Sequence, residues 1–373
     1  MITLEKFLSL FNNKSISFDK FLKIATVKIG NQTVSIKEYI EKKNIDLKYI
    51  FLLFENIQNK KDYLTRFYKK SLKYNPKNIK ITDEPMKSND MNNNNNVQYK
   101  NIIRNIFFWE ILKQTKSGIV NNPSFLDVLE NLYNDYIIDY KILTPSSIHY
   151  IKENRIGSVF SSYYFRASIL NPYLIYSLNQ NIFKAKTIFT PTLGWGSYYY
   201  GFAESGIEEY VGVDVIPTVC NKIDNFSIKY YSNIKTNIIC SPSENLLLDN
   251  RFLHKYKNHF ELIFFSPPYF KLELYSGGKQ STTQYPTYEL WLENYWEKTI
   301  ILCEKLITKN GKGRLCYILS SYGKDNDCDL LKDMNKITKK YFKLIKKQPM
   351  FNKNVHVTNH RDTNEQIMIF SIL

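Results

Sequence analysis

Short apolar runs alternate with helical segments from residue 186 onward, and this alternation constrains the fold more than any other feature. Apolar runs of four to seven residues are typical of buried strands. Strand–helix–strand units place parallel strands in one sheet with helices on both faces. The sequence therefore predicts an α/β fold. The predicted strands are Thr187–Thr190, Tyr210–Asp214, Thr236–Cys240, Glu261–Phe265, Leu315–Leu319 and Gln366–Ile372, and the predicted helices span 197–205, 218–230 and 288–307.

The first 150 residues are rich in Lys, Asn and aromatic residues, with fragments of helical periodicity. The run Asn92–Asn96 has no apolar surface to bury and predicts a flexible loop or linker. We therefore divide the chain into a basic helical region (1–90), an Asn-rich linker or loop (91–98), a helical connector (99–150) and an α/β domain (151–373). The basic, aromatic stretch 66–80 fits either a solvated helix face or a surface that follows a nucleic-acid strand.

The charge of the chain indicates a polyanionic partner. Lys and Arg number 51 against 35 Asp and Glu, so the net charge is +16. This excess favours nucleic acid ahead of a membrane surface as the partner. The alternative explanation of the charge is codon bias, since an AT-rich genome also favours lysine. The sequence shows neither a signal peptide nor an apolar stretch of about 18 residues. Five cysteines without a C-x-x-C pair predict free thiols in a reducing compartment. We expect an intracellular, non-membrane protein of unknown oligomeric state.

A glycine turn follows the first predicted strand, in Thr190-Pro-Thr-Leu-Gly-Trp-Gly196. Gly194 and Gly196 allow a sharp turn and leave room for a ligand against the main chain. Asp214 ends the next strand, 20 residues after Gly194, which is the spacing at which an acid reaches a ribose hydroxyl. The missing third glycine disfavours a pyrophosphate cofactor. An ordinary turn with a solvated Asp is the alternative, and the order of the elements favours a nucleoside site.

A proline pair ends the fourth predicted strand, in Ser266-Pro267-Pro268-Tyr269. Consecutive prolines cannot continue a central strand, because they lack N–H donors and fix φ. The rigid exit orients the carbonyls of Ser266 and Pro267 as acceptors and projects Tyr269 as an aromatic platform. Such a site suits a planar base with an exocyclic amine. The alternative is a proline-terminated strand with a buried tyrosine, against which the upstream glycine turn and acid argue.

Two further features carry weaker signals. His356 and His360 are four residues apart without the Glu of an H-E-x-x-H motif, so a surface loop or a phosphate contact is favoured over a metal site. The lysine-rich stretch 331–347 predicts a basic helix, which is either a solvated face or a contact to the DNA backbone.

In this order, the motifs resemble the S-adenosylmethionine-dependent DNA amino-methyltransferases, whose signature is (D/N/S)-P-P-(Y/F/W). Ser266–Tyr275, Gln280-Ser281 and Trp291 are similar to a branch found in phages and large DNA viruses. That branch also carries an aromatic and Asn-Pro segment before the first strand, matched by Phe165–Pro172. The resemblance covers about residues 155–373. It implies a Rossmann-like class I methyltransferase sheet, joined here to a mostly helical N-terminal part.

The resemblance also implies which residues hold the cofactor, S-adenosylmethionine, and the target base. Gly194 and Gly196 would line the methionine end of the cofactor, Asp214 would hold its ribose, and Ser243 or Glu244 would lie near its adenine. The base would be held by the S-P-P-Y segment, and its amine would attack the sulfonium methyl directly, a step that depends on positioning. The predicted catalytic residues are Ser266, Pro267, Pro268 and Tyr269, and the predicted cofactor-binding residues are Phe165, Asn171, Pro172, Thr190, Pro191, Thr192, Gly194, Trp195, Gly196, Asp214, Val215, Ser243 and Glu244, with no metal.

Two positions depart from the pattern of the family. Thr190 replaces the acidic residue that opens the glycine turn, and Tyr198 stands where the family has an arginine. Neither change removes the carbonyl and aromatic groups. The implied function is methylation of a base amine in DNA, at cytosine N4, which the serine favours, or at adenine N6. The lack of a Pro-Cys loop argues against cytosine C5 chemistry. An RNA base methyltransferase and a catalytically inactive, basic nucleic-acid-binding protein are the alternatives.

Overall fold

The structure is a computed structural model that describes residues 1–11, 15–73, 75, 79–118, 122–153, 155–320, 328–352 and 365–373, without the side chains of 161 and 162. The chain forms two compact units. Unit 1 comprises residues 1–74 and 104–168, and unit 2 comprises residues 75–103 and 169–373. This division differs from the boundaries drawn from the sequence, because residues 75–103 fold with the C-terminal half and residues 104–168 fold with the N-terminal region.

Unit 2 is built on a seven-stranded sheet. Its strands lie in the spatial order β6-β7-β5-β4-β1-β2-β3, with β7 antiparallel to both neighbours and the pairs among β1 to β5 parallel. The α/β fold with a Rossmann-like sheet is thereby confirmed. The strands are β1 (Thr187–Thr190), β2 (Glu209–Asp214), β3 (Lys235–Cys240), β4 (Leu262–Phe265), β5 (Arg314–Leu319), β6 (Phe342–Pro349) and β7 (Gln366–Ile372).

The central strands are buried because their side chains are apolar on both faces. All of β4 is buried, as is β2 up to the half-buried Asp214 at its end. Continuous apolar runs of this kind are typical of parallel strands covered by helices. The helices of unit 2 are Pro172–Leu178, Ser197–Glu204, Pro217–Tyr230, Asn250–Tyr256, Ser281–Gln284, Tyr288–Trp291, Lys298–Leu306 and Leu330–Thr338, with 3-10 turns at Gly194–Gly196 and Ser243–Leu248, π-helical segments at Asn179–Phe183 and Leu292–Glu297, and a short strand at Glu273–Leu274.

The edge strand β6 occupies part of the segment for which the sequence predicted a basic helix. The helix ends at Thr338, and β6 buries Phe342 and Gln348 while its lysines are exposed. Among the described strands, β6 pairs only with β7, and exposed lysines on an edge strand discourage pairing with another chain. The prediction was wrong for the second half of 331–347, because a lysine-rich edge strand has too few apolar residues to distinguish its period from that of a helix.

The Asn run, for which the sequence predicted a flexible loop or linker, forms a hydrogen-bonded turn. Asn92 and Asn93 are buried. The Asn92 side chain accepts a hydrogen bond from the Asn94 N–H at 3.0 Å, and the Asn93 side chain accepts one from the Asn171 N–H at 2.7 Å. Asparagine side chains readily satisfy the backbone of turns, so this polar segment is ordered within unit 2 without an apolar face.

Unit 1 is mostly helical, as the sequence predicted, with a core of aromatic rings that includes Phe7, Phe67 and Phe125. A three-stranded sheet of Thr26–Ile29, Gln32–Ser35 and Ile137–Asp139 was missed, because such short strands show almost no alternation. The helices are Leu4–Leu8, Phe18–Ile24, Ile36–Lys43, Leu47–Gln58, Lys60–Ser71, Phe125–Asp135, Pro145–Lys152 and Ile156–Tyr163, with a π-helical segment at Glu110–Gln114, a 3-10 turn at Tyr140–Leu143 and a short strand at Lys116–Ser117; helix Gln98–Ile106 begins in unit 2 and ends in unit 1.

Within the described ranges, no helix combines the length and the apolar character that crossing a membrane requires.

Candidate functional site

The motifs singled out in the sequence meet at one edge of the sheet. The glycine turn follows β1, Asp214 ends β2, Ser243 and Glu244 follow β3, and Ser266–Tyr269 follows β4. These strands are parallel neighbours, so their carboxyl ends lie at the same edge, where ligands bind in open α/β sheets. The structure therefore brings the predicted segments of unit 2 together.

The glycine turn is held in a left-handed conformation over three consecutive residues. Gly194, Trp195 and Gly196 have φ angles of +52°, +59° and +78°. A left-handed conformation at an aromatic residue is strained, and such strain costs about 1–3 kcal/mol. A Cβ atom added at Gly194 would lie 2.2 Å from the Tyr198 ring, so only glycine fits there. Pro191 is buried beside the turn, and Thr192 is half-buried.

Tyr198, one of the two departures from the family pattern, links the glycine turn to the S-P-P-Y segment. Its ring lies against Gly194, and its hydroxyl accepts a hydrogen bond from the Ser266 N–H at 3.0 Å. Burial raises the pKa of Tyr198, so the hydroxyl stays neutral. Tyr198 thus holds the end of β4 in register with the turn after β1, a role that an arginine could not fill in the same buried space without an acidic partner.

Thr190, the other departure, is a buried structural residue. Its hydroxyl forms a hydrogen bond of 2.6 Å with the Tyr210 hydroxyl on the neighbouring strand β2. The family that the sequence resembles has an acid at this position. Thr190 can replace it because its buried hydroxyl is satisfied by the hydrogen bond to Tyr210 within the sheet.

Asp214 connects the ends of β1 and β2. Its carboxylate accepts hydrogen bonds from the Leu193 N–H at 3.3 Å and the Ile216 N–H at 3.0 Å. Burial nevertheless raises its pKa to about 6, against the lowering effect of these N–H groups. A partly buried acid with two backbone donors and further acceptor capacity is suited to receive hydroxyl donors of a ligand.

Unsatisfied polar atoms collect around this edge. Ser197 Oγ, Glu244 Oε1 and the Tyr295 hydroxyl are buried and have no hydrogen-bond partner among the described residues. Burial raises the pKa of Glu244, and burial together with the nearby Glu244 carboxyl raises that of Tyr295 well above its ordinary value. Buried polar groups without partners are rare in proteins, so these three atoms are candidates to bind polar groups of a ligand.

Tyr295 was missed by the sequence analysis. It lies on the π-helical segment Leu292–Glu297, one turn after Trp291, and its ring contacts Trp291 at 5.0 Å. π-Helical turns occur frequently at functional sites, but a tyrosine among apolar residues in a predicted helix gives no such signal. A role is indicated only by its buried hydroxyl, which lacks a partner among the residues the structure describes and lies in electrostatic range of Asp214 and Glu244.

In the S-P-P-Y segment, the serine and tyrosine differ in how they are held. The Tyr269 hydroxyl accepts a hydrogen bond of 2.8 Å from the Ser320 N–H, which anchors the ring at the end of β5. Pro267 is buried, and Pro268 and Tyr269 are half-buried. The half-buried Ser266 side chain makes no hydrogen bond to any residue the structure describes. Its Oγ is therefore able to accept a hydrogen bond from a ligand.

Residues 275–281, here called the cover segment, lie against both the glycine turn and the end of β2. The Tyr275 ring meets the Trp195 ring edge-on at 5.6 Å. A Cβ atom added at Gly278 would lie 1.9 Å from the Val215 carbonyl oxygen, so the two backbones touch. The Trp291 N–H donates to Ser281 Oγ at 3.1 Å. The cover segment therefore closes one side of the candidate site.

Three of the predicted cofactor-binding residues, Phe165, Asn171 and Pro172, lie outside the segments that follow the strands of the sheet. Asn171 is fully buried and caps helix Pro172–Leu178, with its oxygen accepting from the Tyr173 N–H and its amide donating to the Asn95 carbonyl. Pro172 is the first residue of that helix. Phe165 belongs to unit 1, where its backbone pairs with Pro123 and Phe125. The contacts of Asn171 are those of a structural cap.

No group of His, Cys, Asp or Glu in the described ranges is arranged to hold a metal ion. His356 and His360 lie outside the described residues.

No family model and no curated protein sequence matches the chain. Solved structures with similarity to it include TrmN from Thermus thermophilus (12% identity over 55% of this chain and 49% of that one, TM-score 0.37). The ribosomal protein L11 methylase from Lactobacillus delbrueckii subsp. bulgaricus is similar at 11% identity over 53% of this chain and 77% of that one, with a TM-score of 0.34. A candidate class I S-adenosylmethionine-dependent methyltransferase from Listeria monocytogenes is similar at 17% identity over 53% and 57%, with a TM-score of 0.34. Likeness this distant assigns neither an activity nor a substrate to the chain.

Proposed function

We propose that unit 2 transfers a methyl group from S-adenosylmethionine to the exocyclic amine of a base in DNA, at cytosine N4 or adenine N6. The observation that carries this proposal is the convergence of the glycine turn, Asp214, Glu244 and the S-P-P-Y segment at one edge of a Rossmann-like sheet. Their order along the chain is that of the family the sequence resembles, and their polar groups match a nucleoside on one side and a base amine on the other.

The residues at this edge fit the cofactor. The Asp214 carboxylate would accept the two ribose hydroxyls, because it is fixed by backbone N–H groups and retains free lone pairs. Glu244 Oε1, which is buried and has no hydrogen-bond partner in the described part of the chain, would accept the adenine amine. Gly194 and Gly196 would allow the left-handed turn whose main chain faces the amino-acid end, while the Tyr198 ring occupies the side-chain space of Gly194. When bound, the cofactor supplies an electrophilic methyl group on a sulfonium sulfur.

The S-P-P-Y segment would hold the base. The Ser266 carbonyl, which the sequence analysis named as an acceptor, already lies 3.4 Å from the Tyr198 hydroxyl. We therefore assign the two N–H bonds of the amine to Ser266 Oγ and the Pro267 carbonyl, which would leave the lone pair of the nitrogen directed away from them. Tyr269 would stack on the base, and its hydrogen bond to the Ser320 N–H fixes the plane of the ring. Accepting both N–H bonds raises the nucleophilicity of the nitrogen, and positioning of the two reactants contributes the rest.

Gly278→Ala is expected to weaken cofactor binding about tenfold or more. The new methyl group would clash with the Val215 carbonyl, which displaces the cover segment from the end of β2. Gly206→Ala is the matched control, since Gly206 has a similar φ of +80° but no atom of a described residue within 4 Å of an added Cβ. Both variants bear the strain of a left-handed alanine, about 1 kcal/mol. Equal cofactor affinities for the two variants, measured by calorimetry, would show that the cover segment has no part in the site.

The proposed function is tested by incubating the protein with deuterium-labelled S-adenosylmethionine and either DNA or RNA, followed by digestion and mass spectrometry of the nucleosides. We expect labelled N4-methylcytosine or N6-methyladenine from DNA. Label in RNA alone would move the substrate to RNA and keep the chemistry. Label in neither, from a protein that binds nucleic acid, would replace the enzyme with a catalytically inactive nucleic-acid-binding protein.

A further inference from the structure

A groove lies at the opposite end of the sheet from the candidate site. It is lined by residues 182–185 ahead of β1, by Glu261 and Arg314 at the starts of β4 and β5, and by residues of β6 and β7. Its volume is about 510 Å³. Since β5 has six residues and a strand rises about 3.3 Å per residue, the groove is roughly 20 Å from the S-P-P-Y segment along the sheet.

The groove carries uncompensated positive charge. Lys184, Lys312, Arg314 and Lys346 line it, and Glu261 is the one acidic residue among the lining residues the structure describes. The Glu261 carboxylate already accepts a hydrogen bond from the Lys186 N–H at 2.6 Å. The three lysine ammonium groups form no ion pair with any described residue. Several cations around one concave surface attract an anion.

The floor of the groove is apolar, and a β-bulge helps to build it. Leu344 pairs with Phe370 and Lys346 with Ile369, so Ile345 is the extra residue of β6. Bulges change the direction of side chains, which explains how the consecutive residues Ile345 and Lys346 both line the groove. Phe183 is partly exposed there and forms no ring contact with another aromatic residue in the described ranges.

We propose that this groove binds a single strand of nucleic acid, with phosphates on Lys184, Lys312 and Lys346 and a base stacked on Phe183. Lysines alone would fit any anion, and an apolar floor alone would fit any apolar ligand. A cationic groove that contains an accessible aromatic ring is the arrangement that holds single strands. The inference rests on the proposed function only for the class of partner, and it adds a contact far from the methylated base.

The test compares strand binding by the wild-type protein and by the triple variant Lys184→Gln, Lys312→Gln, Lys346→Gln. The probe is a fluorescent oligothymidylate of about 12 nucleotides, followed by anisotropy over a range of salt concentrations. We expect the triple variant to bind at least about tenfold more weakly at about 50 mM salt. The slope of log affinity against log salt should fall by about 2, since each phosphate that is no longer neutralised lowers it by about 0.7. Phe183→Leu should weaken binding about fivefold or more without changing the slope.

The matched control is Lys229→Gln, Lys255→Gln, Lys257→Gln, which removes the same charge from exposed positions outside the groove. This control should change affinity by less than about twofold. Equal losses of affinity in both triple variants, or no binding by the wild-type protein, would overturn the groove site. Competition by thymidine monophosphate at the same concentration as the oligomer would also overturn it, in favour of a free-nucleotide site. If the groove binds the single strand but the protein transfers no methyl group, the groove site is supported and only the proposed methyltransferase activity is refuted.

Discussion

Tyr269→Ala is expected to reduce methyl transfer by more than about 100-fold while leaving cofactor affinity nearly unchanged. Loss of the stacked ring removes about 1–3 kcal/mol of base binding, and the base then lacks the fixed orientation on which direct transfer depends. Turnover, cofactor affinity and melting temperature are measured on the same variant.

Tyr269→Phe is the matched control for this prediction. It keeps the ring and loses the hydroxyl that accepts the hydrogen bond from the Ser320 N–H, a bond worth about 0.5–1.5 kcal/mol. We therefore expect it to keep substantial activity. A tyrosine with only a structural role predicts a different pattern, in which the alanine variant loses thermal stability and cofactor affinity together. A folded Tyr269→Ala protein with wild-type turnover would contradict the assignment of the S-P-P-Y segment.

Cofactor affinity is expected to rise with pH through about 6, the raised pKa of Asp214. Below this pH the carboxyl is protonated and binds ribose hydroxyls weakly as an acceptor. Above it the carboxylate accepts both hydroxyls, so binding favours the ionised form and in turn lowers the pKa of the group. Affinity should therefore increase between about pH 5 and 7 and then level off.

Asp214→Asn should remove this pH dependence and weaken binding at pH 7.5 by about tenfold or more, because a charge-assisted hydrogen bond contributes about 1.5–3 kcal/mol. Calorimetric titrations of both proteins across this range check the prediction. A pH profile that survives in the Asn variant would assign the titration to another group.

The sheet could be predicted from the sequence because its central strands are continuous apolar runs. β1, β2, β4 and β5 lie within a residue or two of their predicted bounds, and parallel pairing then requires their carboxyl ends to lie at one edge. The edge strand β6 could not be distinguished from a helix, because its lysines face solvent. Exposed positions follow no packing period, so they give no signal for either element.

The local motifs of the site were also visible in the sequence, but the contacts between them were not. Tyr198 and Ser266 are 68 residues apart, and no periodicity indicates that a tyrosine hydroxyl would hold the backbone of the S-P-P-Y segment. Tyr295 stands out only through the burial of its hydroxyl, which has no hydrogen-bond partner among the described residues. Glu244 was assigned to the cofactor through the family resemblance, but the burial of its Oε1 atom without a described partner could not be seen in the sequence. The position of Asn171 depends on its hydrogen bonds with the Asn run, which composition alone predicts to be a loop or linker.

Titration of S-adenosylmethionine into the 373-residue chain by calorimetry at pH 7.5 tests the central claim most directly. The account predicts saturable binding at one site per chain, weakened by Asp214→Asn and by Gly278→Ala, and unchanged by Gly206→Ala. The absence of binding by the wild-type protein, or binding that none of these substitutions at the carboxyl edge of the sheet alters, would contradict it.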